Sequence, residues 1–103
     1  MDKIGVYKDL CERLQNMYDK EQEMYNDSFS VIYEKRGLDA AVTLIEDTWN
    51  RLDNLTLHQD NIKVYDSIME TMLLDLAHYC LMTLIEYKVA TGKYLEKALA
   101  YTD

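Results

Sequence analysis

Residues 65–79, reading YDSIMETMLLDLAHY, gather the side chains best suited to chemistry. Asp66 and Glu70 are four apart, so they share a face if the helix already includes Asp66. Asp75 falls five beyond Glu70, about 140° further round at roughly 100° per residue. It shares its face with His78 and Tyr79 instead. Leu73–Leu74 and Leu76–Ala77 flank Asp75, so the helix should be buried there. A buried carboxylate must be paired, hydrogen-bonded or bound to a metal. Plainer readings stand beside these. Ser67-x-x-Glu70 has the form of a capping box. Asp75 could accept a hydrogen bond from a tyrosine or pair with Arg51, and His78 could be an ordinary core histidine.

Two further segments carry polar groups at useful spacing. Tyr25-Asn26-Asp27-Ser28-Phe29 sits where one helical pattern stops and another starts. Glu46-Asp47-Thr48-Trp49-Asn50-Arg51-Leu52 lies within a helical pattern. Asp47 and Arg51 are four apart and could simply pair; otherwise Arg51 is the best phosphate contact, because a guanidinium grips phosphate bidentately. The three glycines are too far apart for a phosphate loop. No CxxC or HExxH is present, which removes the usual zinc sites. Cys11 and Cys80 fall on apolar stripes and read as two buried free thiols in a reducing compartment.

The elements that must position these groups are helices. The chain has 103 residues, no proline and only three glycines, too few turn residues for an all-β sandwich. Ile4, Tyr7, Cys11, Leu14 and Tyr18 give a first helix from about 3 to 25. Asn26–Asp27–Ser28 should break it, since short polar side chains favour caps. A short helix from Phe29 to about Lys35 should end at Gly37 in the left-handed conformation. A third helix begins near Leu38, with Leu38, Ala41, Val42, Ile45, Trp49, Leu52 and Leu55 as its stripe. Residues 56–61 read as a polar connection. The fourth helix, Ile68 to Val89, is apolar on more than one face and should be central; Gly92 ends or kinks it. Residues 93–101 could form a short fifth helix. The expected fold is a single all-α domain over residues 1–103, a bundle of four main helices, completed by oligomerisation.

Composition bounds the partners. The net charge of −8 disfavours a nucleic-acid duplex and an anionic lipid surface. A phosphate ligand would then call for a divalent cation. The apolar run 72–85 is interrupted by Asp75 and His78 and reads as too short and polar for a membrane span. No signal peptide is visible, so a cytoplasmic protein is expected.

The three polar segments together resemble the phage and bacterial nucleotide modification associated domain 1 family. Its pattern runs D-Y-G-D-S-F, then D-K-x-x-R-L, then D-E-S-x-x-D-T-L-L-D-L-A-N-Y. The likeness covers roughly residues 5–90. That family is itself similar in outline to MazG-type all-α nucleotide pyrophosphohydrolases. The resemblance implies Mg²⁺ held by Asp66, Glu70 and Asp75, with Glu70 and Asp75 catalytic. It implies nucleotide contacts from Arg51, Tyr25, Asp27, Lys20, His78 and Tyr79, and work as a homo-oligomer in a phage-infected or bacterial cell. This chain departs from the pattern at Met24, Asn26, Thr48 and His78, and it lacks an evident E-x-x-E pair on the first helix. Three functions follow as expectations: a Mg²⁺-dependent nucleotide hydrolase, a non-catalytic protein that sequesters a nucleotide immune signal, or an acidic helical interaction module.

Overall fold

The computed structural model describes residues 1–57 and 62–92, with only the backbone described for 62–65. Three helices make up the described chain, with no strand among the described residues: α1 (Lys3–Met24), α2 (Ser28–Thr56) and α3 (Ile62–Thr91). The all-α class is as expected. The four main helices are three elements, because the second and third expected helices join across a kink at Gly37. Gly37 has φ 79° and ψ −171°, a region essentially reserved for glycine and distinct from the left-handed helical conformation expected for it.

The α1–α2 joint is tight. Asn26 and Asp27 both take positive φ, 51° and 53°, which short polar side chains tolerate better than others do. Asp27 sits at the N-cap of α2 but makes no capping bond. Glu21 on α1 supplies it instead: its Oε1 accepts from the Phe29 backbone N–H at 3.0 Å and from Ser28 Oγ at 3.2 Å. A carboxylate is thereby placed on the unsatisfied donors at the positive end of α2.

The core is small. Phe29, Ala41 and Met82 form its centre, with Tyr18, Tyr33, Leu44 and Tyr79 packed around them. On α2 the buried line is Ala41, Thr48 and Leu52, whereas Leu38, Val42 and Trp49 of the expected stripe are 41%, 45% and 53% exposed. Thr48 can be buried because its hydroxyl donates to Leu44 O at 2.9 Å. α1 buries no residue fully, and Cys11 and Cys80 are free but exposed rather than buried.

α3 begins six residues before Ile68 and ends at Gly92, whose φ is 74°. The added length matters: the stretch Asp66–Thr91, mean hydropathy 1.4, is long and apolar enough to cross a membrane, by length and composition alone. The expectation that it is too short is therefore corrected. Only 11% of its most apolar part is buried, so within one chain α3 is not enclosed on several sides. Leu73, Leu81 and Leu84 are each about half exposed. The radius of gyration, 16.2 Å, exceeds the ~13 Å of a compact domain of this length. Residues 58–61 of the expected connection and the possible fifth helix at 93–101 lie outside the described residues.

Candidate functional site

The Tyr25–Phe29 segment meets the Asp75–Tyr79 end of the third segment. The α1–α2 joint packs on the middle of α3, where the Phe29 and Tyr79 rings lie 6.3 Å apart at 40°. A hollow of 180 Å³ beside them is lined by Glu21, Ser28, Phe29, Leu44, Tyr79 and Met82, among others. His78 adjoins Tyr79, ring centroids 6.4 Å apart, and borders a second hollow of 220 Å³ with Leu14 and Tyr18 of α1. Antiparallel packing of α2 on α3 fixes the level of the joint through Ser30 Oγ, which donates to Glu86 Oε1 at 2.6 Å.

Charge at this joint is negative. Burial raises the Tyr18 phenol above its ordinary pKa, and the Asp27, Glu86 and Glu21 carboxylates push it the same way. Burial holds His78 below the usual imidazole value, against the opposing pull of Glu21 and Asp75. The shift favours the neutral imidazole, which can donate from one nitrogen and accept at the other.

The remaining expected residues are placed as follows. Asp27 is half-buried in the joint and Tyr25, 59% exposed, stands at its rim. Lys20 is exposed on α1 next to Glu21. Arg51 is elsewhere: it pairs with Asp47 at 3.1 Å, both side chains more than half exposed, beside Leu55, Ile68 and Met72. Ile68 and His78 are ten residues apart on α3, about 15 Å along the axis. The plain ion pair is what the structure contains at Arg51.

The carboxylates expected to share Mg²⁺ do not converge within one chain. Asp66 is exposed. Glu70 Oε1 is held by Arg13 Nη1 of α1 at 2.5 Å. Asp75 is half-buried on the other side of α3 near His78. Among the described residues no group of three or more His, Cys, Asp or Glu side chains lies close enough to hold a metal. The cause is the helix repeat, which turns Asp75 about 140° away from Glu70. The donor set implied by the resemblance therefore does not fit a metal in the single chain. The capping box is corrected as well: Ser67 lies five residues inside α3, and its carbonyl accepts from Thr71 Oγ1.

Glu21, Tyr18 and Glu86 belong to the joint and carry no sequence signal of it. Glu21 reaches across a turn to a helix that starts seven residues later, which no local capping pattern describes. Compared with protein-family models, curated proteins and solved structures, the chain finds no match in any of the three.

Proposed function

We propose that this chain is a helical nucleotide-binding protein that holds its ligand at the α1–α2 joint and does not cleave it as a single chain. The observation that carries the reading is the meeting of the Tyr25–Phe29 and Asp75–Tyr79 segments, through the Phe29–Tyr79 ring contact. Tyr25 and Tyr79 offer ring faces on which a base can stack. His78 in its neutral form and the Glu21 and Asp27 carboxylates offer acceptors suited to amino and hydroxyl groups of a nucleoside. Lys20 is the nearest cation of the expected set for a phosphate. In this reading Arg51 serves as a surface ion pair, and the four-helix bundle is completed between copies, two helices from each.

The test is a thermal-shift screen of mono-, di-, tri- and cyclic nucleotides with and without Mg²⁺, followed by chromatography of the ligand released on denaturation. A ligand that prefers the native state must raise the melting temperature. The expected result is a shift with one nucleotide class, lost in His78→Leu, and recovery of that nucleotide intact. Recovery of monophosphate and pyrophosphate would replace binding with hydrolysis. A chain that no nucleotide stabilises would leave the interaction module.

A further inference from the structure

α1 and α3 meet without closing on each other. On α1, Val6, Leu10 and Leu14 recur every four residues, one face of a helix. On α3, Glu70, Leu73, Leu74 and Ala77 stand at i, i+3, i+4 and i+7, also one face. The two faces line a hollow of 460 Å³. Leu74 is buried there, whereas Val6 and Leu73 are exposed. α1 buries no residue fully, so its apolar face stays wet along this contact. An apolar concavity between helices, open to water, is the usual form of a small-molecule site. Its volume falls in the usual range of about 300–1,000 Å³.

Charge decides what such a site would take. Among the described residues that line the hollow, Glu70 is the one carrying a full charge at pH 7, and none is a cation. Arg13 takes one oxygen of Glu70, but both side chains of that pair are more than half exposed. An ion pair so open to water holds weakly, and a carboxylate accepts at both oxygens. The net charge of −8 adds a potential that draws cations to the surface. A molecule with an apolar body and an ammonium head therefore complements the hollow, whereas a carboxylate or phosphate head would meet Glu70 as a like charge.

We propose that the α1–α3 hollow binds a small apolar amine, its body against Leu10, Leu14, Leu74 and Ala77 and its ammonium on the Glu70 carboxylate. This site is distinct from the nucleotide reading: Glu70 and His78 are eight residues apart on α3, about 12 Å along the axis. The chain carries its own reporter. Cys11 lines the hollow and Cys80 is not among its lining residues, yet both are free and exposed. The probe is decylammonium, with decanoate and decanol beside it, all below micelle formation. The readout is the rate of iodoacetamide alkylation at each cysteine, followed by mass spectrometry. Decylammonium should slow Cys11 and leave Cys80 unchanged. Each methylene removed from the probe should weaken protection by up to about fourfold. Glu70→Gln should weaken decylammonium about two- to fivefold and leave decanol unaffected, while Leu73→Gln should weaken both. Both positions are exposed, so the far-UV helical signal should match wild type. Equal protection by decanoate, protection of both cysteines, or none would overturn the proposal, as would a Glu70→Gln chain that binds decylammonium like wild type. Protection of Cys11 on concentrating the chain alone would overturn it in favour of a second copy, and protection by phosphatidylcholine vesicles in favour of a bilayer. None of these outcomes bears on the nucleotide, which the probes do not resemble.

Discussion

Glu21→Ala is the perturbation that most sharply separates the joint from ordinary helix surface. One carboxylate oxygen accepts from both the Phe29 N–H and the Ser28 hydroxyl. Phe29 is 5% exposed, so its N–H has little access to water once the partner is gone. A hydrogen bond to a charged acceptor contributes about 1.5–3 kcal/mol, and the unsatisfied donor adds to the loss. Glu21 is half-buried, which places the expected cost near the middle, about 2 kcal/mol. At roughly 4–8 °C per kcal/mol for a domain of this size, the melting temperature should fall by about 8–16 °C. Glu21→Gln keeps the acceptor and loses only the charge at the helix N-terminus, about 0.3–1 kcal/mol. The assay is denaturant unfolding followed by far-UV circular dichroism on the three proteins side by side. Equal losses in Ala and Gln, or a Glu21→Ala protein as stable as wild type, would refute the capping role.

Three further outcomes follow from the same packing. Gly37→Ala should destabilise by about 1–3 kcal/mol through backbone strain, since a Cβ there meets nothing within 4 Å that could add a steric cost; denaturant midpoints measure it. Thr48→Lys should cost about 3 kcal/mol or more, because position 48 is 2% exposed; a fully folded Thr48→Lys protein in a thermal melt would contradict the buried placement. His78 binds its proton less readily in the folded than in the unfolded chain, so the unfolded chain protonates first as pH falls. Its contribution is whole above the ordinary value of about 6.5 and is lost below it. Stability should therefore drop between pH 7 and pH 5, and His78→Gln should remove part of that slope in unfolding curves taken across the range.

The sequence was most legible where one residue type decides the backbone. The polar run Asn26–Asp27–Ser28 marks the break after α1, and Gly37 and Gly92 mark a kink and an end, because their positive φ is costly for other residues. Faces were harder to read. The expected stripe of α2 spans two adjacent rows: it includes Ala41 and Leu52, which the chain buries, and Leu38, Val42 and Trp49, which it leaves exposed, and it passes over Thr48. The buried line runs through Ala41, Thr48 and Leu52, since Thr48 can satisfy its own hydroxyl and Ala41 lets α3 approach. An apolar stripe does not say whether its partner lies in the same chain. Ser67-x-x-Glu70 misled for a related reason: a capping box is a signal only at a helix start, and α3 starts at Ile62. Of the candidate site, Asp27, His78 and Tyr79 were visible as motif residues. Glu21 and Glu86 were not, because their roles arise from contacts across helices.

The most direct test of the binding site is a nuclear magnetic resonance titration that follows the His78 and Tyr79 ring signals and the Phe29 amide as nucleotide is added. The account predicts saturable shifts at these three positions, with Arg51 and Met72 unmoved. Shifts centred on Arg51 and Met72, or none at Phe29, His78 and Tyr79 while the nucleotide binds, would contradict it.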